Sequence, residues 1–325
     1  MNEASQRAAM LVGACTTQVA HIDIPDVPAG HVRVRLQGCG ICASNLSVWE
    51  GRSWFNYPQQ AGSPGHEGWG RIDAVGEGVE DLDVGDRVAL ISHRAYSEYD
   101  VAPRECVVRL PHELDDEPFP GEPLGCAMNI FERSQIRRGD RVGIVGAGFL
   151  GLLLTQLASA AGAHVLVLSR REFALGLASS MGAEYTASTE QSDARDRALA
   201  FTDQRGCNVV IEAVGLQSSL DIASALTGER GRLVIAGYHQ DGLRQVNLQE
   251  WNWRGIDVIN AHERAMERYV HGMRSAVDAV VEGRLDPFPL LTHRVDIGSL
   301  DRGFELTSKR PEGFVKAMMI NEAVA

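Results

Sequence analysis

The sequence predicts an α/β protein in which a β-rich domain is joined to a domain with a doubly wound parallel sheet. Between residues 30 and 120, short runs of Val, Ile and Leu alternate with Gly, Asp and Pro, as strands and turns do. After residue 137, strand-like and helix-like segments alternate, which is typical of a parallel sheet covered by helices. A chain of 325 residues, 44% of them hydrophobic, is long enough for two domains.

The β-rich part is predicted from four short segments. They have apolar residues at strand spacing and end in turn residues. In order, they are "HVRVRLQGCG", "GRIDAVGEG", "VGDRVALIS" and "CVVRLPHEL".

The second part changes to a regular alternation of strands and helices. "RVGIVGAG" is followed by the apolar helix "FLGLLLTQLASAAG" and by the strand "HVLVLS", and the alternation continues through "NVVIEAVG" and "RLVIAGY". A last block, residues 263–285, has apolar residues at helical spacing, and the chain ends in the strand-like "FVKAMMI".

Composition excludes several classes of function. The formal net charge of -12, without any Lys/Arg-rich run, argues against a nucleic acid or an anionic membrane as partner and favours a small-molecule ligand. The N-terminus has no apolar export segment, so we expect a cytoplasmic protein. There the six cysteines stay reduced and serve in metal binding or in packing.

A glycine motif between a strand and a helix predicts a dinucleotide site. Gly146, Gly148 and Gly151 form G-x-G-x-x-G, in which the first allows a tight turn, the second a close approach of the pyrophosphate, and the third close packing of helix on strand. The helix begins at Phe149 and Leu150, where free backbone N–H groups favour phosphate.

The end of the next strand predicts which nicotinamide coenzyme is bound. NAD-binding chains have an acidic residue there for the ribose 2′-OH, but this chain has Ser169, followed by Arg170 and Arg171. A hydroxyl and two guanidinium groups favour a 2′-phosphate, so NADP(H) is predicted over NAD(H). The alternative is that the arginines only solvate a loop.

A metal site is predicted from residues that flank two turns. His66 and Glu67 lie in the glycine-rich "GHEGWG", and Cys42 ends the segment "LQGCGIC" 24 residues earlier. A lone histidine in such a loop is more often a surface residue. A thiolate, an imidazole and a carboxylate together match the preferences of Zn²⁺, whose catalytic sites have three protein ligands and one open position.

The motifs resemble those of the zinc-containing medium-chain dehydrogenase/reductase superfamily, in order and over nearly the whole chain. The resemblance implies a GroES-like catalytic domain over residues 1–123, a Rossmann domain over residues 124–262 and a return to the first domain over residues 263–325. It also implies a homodimer or homotetramer. The matching segments are "GICASN", "PGHEGWGRIDAVGEGVEDLDVGDRV", "GEPLGCAMN", "GAGFLG" and "DPFPLLTHRVDIGSLDRGFELTSKRPEGFVKAMM".

By this resemblance, Cys42 and His66 are zinc ligands, and Glu67 is a carboxylate that ligates in some members and exchanges with water in others. The third ligand stays open between two residues. Alcohol-dehydrogenase-like members have a cysteine where Cys126 lies, whereas polyol-dehydrogenase-like members use the glutamate of an "EP" motif, here Glu122. Spacing to the glycine motif favours Glu122, and Cys126 would then be a buried small residue.

Three departures from the family pattern carry information. Asn45 replaces an aspartate that orients the histidine ligand, and Ser47 replaces a relay histidine, although Ser44 keeps the hydroxyl that passes the alcohol proton. The lobe of four cysteines that would hold a structural zinc is missing, because "ISHRAYSEY" connects the strands directly. One zinc per chain is therefore predicted.

Two further expectations concern the ligands. Lys316 matches a basic family position near the coenzyme pyrophosphate, although it could equally be a solvated strand residue. The substrate pocket is predicted to be walled by aromatic and polar residues, which would suit a polyol, a cyclitol or a sugar-derived ketone; aromatic residues are, however, more often packing than recognition. The candidates are Asn45, Ser47, Trp49, Trp54, Phe55, Tyr57 and His93.

The predicted activity is hydride transfer between NADP(H) and a secondary alcohol or ketone, with zinc acting on the substrate oxygen. One alternative is a zinc-free quinone or enoyl reductase of the same superfamily, against which the presence of Cys42 and His66 speaks. Another is a non-catalytic NADP(H)-binding redox sensor, which Asn45 and the broken proton relay favour.

Overall fold

The computed structural model describes residues 5–191 and 194–321, which form two compact units. The first unit comprises the described residues within Met1–Gly125, Ala265–Val281 and Pro287–Ala325. The second comprises the described residues within Cys126–Arg264 and Glu282–Asp286. The first unit is therefore assembled from separate stretches of the chain.

Strands occur in both units. In chain order, they are β1 Ser5–Gly13, β2 Thr16–Asp23, β3 His31–Gly40, β4 Gly68–Val75, β5 Arg87–Leu90, β6 Tyr99–Pro103, β7 Val107–Arg109, β8 Arg141–Val145, β9 His164–Ser169, β10 Tyr185–Ser188, β11 Cys207–Glu212, β12 Thr227–Ile235, β13 Asp257–Asn260, β14 His293–Val295 and β15 Ala317–Ile320.

The α-helices are short to medium in length, and the longest, α8, has 16 residues. Within the described part of the chain, none of them combines the length and the apolar character needed to cross a membrane. In chain order, they are α1 Leu46–Trp49, α2 Gly121–Ser134, α3 Phe149–Ala160, α4 Glu172–Ser180, α5 Ala194–Phe201, α6 Gln217–Leu226, α7 Leu248–Arg254, α8 Met266–Val281 and α9 Leu300–Lys309.

Strand β3 is the centre of the first unit. It pairs antiparallel with β4, β6 and β15 in a sheet of order β14-β15-β3-β4-β5-β7. Val32, Val34 and Leu36 are buried on one face, whereas the intervening Arg33 and Arg35 are half-buried and exposed, as period-2 alternation requires. The pairing of β15 with β3 brings the end of the chain to the end of β3.

The second unit has a six-stranded sheet, in the order β10-β9-β8-β11-β12-β13, in which every pair is parallel. Strands β8 and β9 are buried on both faces, which explains their continuous apolar sequence. The strand order reverses between β8 and β11, which is the point where a doubly wound sheet opens a crevice for ligands.

The predicted fold class is confirmed: an α/β protein with a GroES-like sheet domain and a Rossmann-like parallel-sheet domain.

Candidate active site

Two paired strands bring the predicted metal ligands together. Cys42 lies two residues after the end of β3, and His66 and Glu67 directly precede β4. In the antiparallel register Cys39 is opposite Gly68, and the Gly40 N–H donates to the Glu67 carbonyl at 3.0 Å. The chain that leaves one strand therefore meets the chain that enters the other.

These three side chains form a compact donor cluster. The Cys42 sulfur, a ring nitrogen of His66 and a carboxylate oxygen of Glu67 all lie within 4.8 Å of one another. Glu67 is fully buried, whereas Cys42 and His66 are half-buried. The set of thiolate, imidazole and carboxylate suits a borderline-soft cation such as Zn²⁺.

The ring of His66 is oriented by the backbone. Its Nδ1 lies 2.9 Å from the Pro64 carbonyl oxygen, which can only accept, so Nδ1 carries a hydrogen and donates it. The second nitrogen, Nε2, is then the one available to a metal. This is how histidine ligands in proteins are commonly held.

The surroundings of His66 favour a positive charge. Burial lowers its pKa, but the hydrogen bond with Cys42 and the negative charges of Cys42, Glu122 and Glu67 outweigh burial and raise the pKa to about 10. A metal cation at the same place would displace the proton and take over its electrostatic role.

Glu67 is paired with a buried lysine. The Lys316 Nζ lies 2.7 Å from each carboxylate oxygen, but only Oε1 accepts a well-formed hydrogen bond. Within the described residues Oε2 is buried and accepts none. A Cβ on Gly40 would lie 1.8 Å from this oxygen, so glycine is required there. An orphaned carboxylate oxygen beside a thiol and an imidazole fits a metal site.

Lys316 was expected beside the coenzyme pyrophosphate or in solvent. It is 6% exposed, directly precedes β15 and contacts Glu67. Burial lowers its pKa, but Glu67 and the other nearby negative charges raise the pKa above its ordinary value, so the amine is held in its charged form. The predicted contact with pyrophosphate stays a prediction.

Ser44 lies on the turn that follows Cys42, and Ser47 lies on the short helix α1. The Ser44 hydroxyl donates to the Cys42 sulfur at 3.1 Å. The Ser47 hydroxyl donates to the Ser44 carbonyl at 3.2 Å, and Ser47 itself is buried. The structure thus places Ser44 in the donor cluster and gives Ser47 a backbone partner.

Asn45 orients the His66 ring through shared contacts. Its Nδ2 donates to the Pro64 carbonyl at 3.2 Å, the same oxygen that accepts from His66, and to the Tyr96 hydroxyl at 2.9 Å. The Tyr96 hydroxyl donates onward to Gly40 at 3.4 Å. Tyr96 is fully buried, and the sequence prediction did not include it.

The two candidates for the third ligand lie on α2. Glu122 is in its first turn, and its charge contributes to raising the pKa of both His66 and Lys316. Cys126 is half-buried and lies one helical turn later. The choice between Glu122 and Cys126 stays a prediction.

The predicted pocket walls have different surroundings. Trp49 is buried, stacks on Phe304 at 5.6 Å and donates to Asp301 at 2.8 Å, which are the contacts of a packing residue. Trp54 is 61% exposed and carries the Arg52 guanidinium over its ring at 5.7 Å. His93 is exposed.

In the second unit, the glycine motif forms the predicted turn between β8 and α3. Gly146 has a φ of 113°, a conformation that L side chains rarely adopt. A Cβ on Gly151 would lie 1.8 Å from the Gly146 carbonyl oxygen, so helix and turn pack without space for a side chain. Gly148 caps α3, and a Cβ there would meet nothing within 4 Å, which leaves the helix N-terminus open.

The predicted determinants of coenzyme preference lie at the carboxyl end of β9. The Arg171 backbone N–H donates to the Ser169 hydroxyl at 3.3 Å. The Arg171 guanidinium reaches the Ala147 carbonyl at 3.1 Å, so this side chain lies against the glycine turn. Arg170 is exposed.

Two family models match the chain in order. The alcohol dehydrogenase GroES-like domain matches residues 28–112, and the zinc-binding dehydrogenase domain matches residues 150–281.

Similar proteins extend the match over most of the chain. Sorbitol dehydrogenase of Halalkalibacterium halodurans is 26% identical over 311 residues, which cover 85% of this chain and 88% of that protein. L-threonine 3-dehydrogenase of Pyrococcus furiosus is 28% identical over 336 residues, 93% of this chain and 95% of that protein.

A solved structure has the same fold. It is the short chain alcohol dehydrogenase rspB of Escherichia coli CFT073 in complex with NADH. Its TM-score is 0.87 at 23% identity, covering 98% of this chain and 99% of that one. Together with the two domain matches, these similarities show that the chain belongs to the zinc-dependent medium-chain dehydrogenase/reductase superfamily of alcohol and polyol dehydrogenases.

Proposed function

We propose that this protein is a zinc-dependent oxidoreductase that transfers hydride between NADP(H) and a secondary alcohol or ketone, with one zinc per chain. The observation that carries the proposal is the cluster of Cys42, His66 and Glu67, whose ligand atoms lie within 4.8 Å of one another. The glycine turn of the second unit supplies a site for the coenzyme.

Cys42 and His66 would hold the zinc, with Glu122 as the third protein ligand. Zinc supplies a Lewis acid that lowers the pKa of an alcohol or polarises a ketone. Glu67 would stay beside the metal, because the Lys316 ammonium, 2.7 Å from each of its oxygens, already balances the charge of the carboxylate. If Glu122 binds the zinc, Glu67 must leave the fourth coordination position to water or substrate.

The chain's own residues would handle the proton and the geometry. The Ser44 hydroxyl, 3.1 Å from the Cys42 sulfur, would pass the alcohol proton outward. Asn45 would fix the Pro64 carbonyl and through it the His66 ring. With serine in place of a histidine at position 47, the proton would leave through water.

Metal content and activity test this proposal together. Near-stoichiometric zinc in the wild type, lost along with activity in Cys42→Ala, is expected. Cys39→Ala is the matched control, because Cys39 is a buried thiol three residues away that lies outside the cluster. Full activity without zinc would indicate a reductase instead, and coenzyme binding without turnover would indicate a sensor.

Paired variants test the third ligand. If Glu122 closes the site, Glu122→Ala lowers zinc content while Cys126→Ala keeps it. The reverse result would assign the ligand to Cys126.

The preference for NADP(H) rests on Ser169, Arg170 and Arg171, of which Arg171 lies against the glycine turn. The double variant Arg170→Ala/Arg171→Ala is expected to lower kcat/KM with NADPH about tenfold relative to NADH, the worth of one charge-assisted hydrogen bond. Arg197→Ala, on α5, is the control. Equal or better wild-type efficiency with NADH would reject the preference.

A polyol, a cyclitol or a sugar-derived ketone is the proposed substrate class. Similarity to a sorbitol dehydrogenase supports it, and similarity to an L-threonine 3-dehydrogenase defines the competing class. A panel of polyols, cyclitols, L-threonine and aliphatic alcohols separates them. The proposal fails if L-threonine or simple alcohols outperform every polyol.

A further inference from the structure

A second fully buried glutamate, Glu212, lies at the carboxyl end of the parallel strands, where the glycine turn also lies. Glu212 ends β11, the strand beside the glycine-turn strand β8, and is 0% exposed. Its Oε1 accepts from the Val214 and Gly215 backbone N–H groups at 2.8 Å each and from the Ser219 hydroxyl at 2.7 Å. Its Oε2 lies 2.9 Å from Nε2 of His239. Four donors thus converge on one carboxylate.

The partners of His239 determine its protonation. Nε of Arg244 donates to Nδ1 of His239 at 2.8 Å, and a guanidinium cannot accept a hydrogen bond. Nδ1 therefore carries a lone pair, and Nε2 carries the hydrogen that is donated to Glu212. In this arrangement His239 is neutral.

These contacts connect three segments at the carboxyl edge of the sheet. Glu212 ties the loop after β11 to the N-terminal turn of α6 through Ser219, and to the loop after β12 through His239. Arg244 adds a bond to the Gly215 carbonyl at 2.8 Å. A Cβ on Gly237 would lie 2.5 Å from Glu212 Oε2, so the loops leave no free space between them.

The tied loop lies directly against the glycine turn. The Ala213 N–H donates to Val145 at 2.9 Å, and a Cβ on Gly146 would lie 2.5 Å from Cγ2 of Val214. The crevice between β8 and β11, where the strand order reverses, is where such sheets bind dinucleotides. Displacement of residues 213–215 would therefore change the wall of that crevice.

We propose that Glu212, His239 and Arg244 are positioning residues for the coenzyme, which hold the loop after β11 against the glycine turn. The inference rests on the proposed function only in requiring that the crevice binds a nicotinamide dinucleotide.

The experiment measures the dissociation constant of NADPH, and of NADH in parallel, by nicotinamide fluorescence without substrate. His239→Leu is expected to weaken binding about tenfold, as one buried hydrogen bond to a charged group is worth. His239→Gln can donate to Glu212 and accept from Arg244, so it should bind as tightly as wild type.

Two further variants keep the test decisive. Arg244→Met removes the contacts with His239 and with the Gly215 carbonyl. It should weaken coenzyme binding and raise the coenzyme KM more than it lowers kcat. His164→Gln removes another histidine that pairs with a glutamate in the same unit, 2.9 Å from Glu184, and should change nothing. Thermal unfolding of each variant identifies any loss of fold.

The outcomes separate the two proposals. Wild-type affinity in both His239→Leu and Arg244→Met, or the same loss of affinity in His239→Gln as in His239→Leu, overturns the positioning role and leaves the proposed function standing. No binding of either coenzyme by the wild type overturns both.

Discussion

Glu67, directly before β4, and Glu212, the last residue of β11, are both fully buried, but the hydrogen bonds that their carboxylates receive differ and indicate two different roles. Glu212 receives four hydrogen bonds, from two backbone amides, a hydroxyl and an imidazole. Glu67 receives one, from Lys316, and its Oε2 accepts none within the described part of the chain.

The difference shows that burial of an acid does not by itself indicate chemistry. A carboxylate whose acceptor positions are filled by fixed donors holds those donors in place, so Glu212 connects loops. A carboxylate with an orphaned oxygen beside a thiol and an imidazole has capacity left for a cation. The state of the second oxygen distinguishes a structural acid from a metal-site acid.

Loss of the lysine that pairs with the Glu67 carboxylate is the strongest test of this contrast. Lys316→Met leaves a buried carboxylate without its counter-charge and is expected to lower the free energy of unfolding of the metal-free protein by about 3 to 5 kcal/mol. If zinc binds beside Glu67, the loss should be clearly smaller in zinc-loaded protein, because the cation replaces the ammonium. Denaturant unfolding with and without zinc measures both values.

Lys309→Met is the control for the loss of a lysine. Lys309 lies 3.6 Å from Glu305 on the exposed side of α9, and such surface pairs are worth about 0 to 1 kcal/mol. An equal loss for Lys316→Met with and without zinc would contradict a cation site beside Glu67.

A smaller effect is the change with pH in the stability of the metal-free protein and in its zinc affinity, and the direction of each change follows from the pKa of His66. The pKa of His66 is raised from 6.5 to about 10, so the stability that its charge contributes is present below pH 6.5 and is lost as the pH rises towards 10. Zinc must displace this proton, so its affinity should rise by up to about tenfold per pH unit over the same range.

Competition with a chromophoric chelator between pH 6.5 and 9 measures the zinc affinity, and denaturant unfolding of metal-free protein measures the stability. His66→Asn should remove the stability change in this range, whereas His164→Gln should keep it. A zinc affinity that does not vary with pH would show that His66 is already neutral in the metal-free protein.

Local sequence was sufficient to predict the fold class and the neighbourhood of Cys42 and His66. Alternation in "HVRVRL" indicates a strand, and the ligands stand directly beside strands that pair, so the backbone register brings them together. Likewise, a strand, three glycines and an apolar helix leave few arrangements other than the turn observed at Gly146.

Contacts between residues far apart in the chain were not predictable in this way. Lys316 is 249 residues from Glu67, and the local sequence "FVKAMM" does not indicate which residue it pairs with. The pattern did carry one signal, since a lysine inside an apolar strand must find a counter-charge if it is buried. Glu212 within "NVVIEAVG" gave the same signal. Trp49 is a further example: its place near Cys42 in sequence suggested a pocket wall, and its contacts with Phe304 and Asp301 on α9 could not be predicted from that place. Its role as a pocket wall stays a prediction.

The smallest expected effect concerns two buried tyrosine hydroxyls, one in each unit. The Tyr96 hydroxyl accepts from Asn45 and donates to Gly40, whereas the Tyr185 hydroxyl of the second unit is buried without a hydrogen-bond partner in the described part of the chain. Tyr96→Phe should therefore lower the free energy of unfolding by about 1 kcal/mol, and Tyr185→Phe should not lower it, because no bond is lost. Through Asn45 and the Pro64 carbonyl, Tyr96→Phe should also weaken zinc binding, by about tenfold at most. Equal zinc affinity in the two variants would show that the His66 ring holds its orientation without the Tyr96 hydroxyl, and that the contacts at the Pro64 carbonyl are enough.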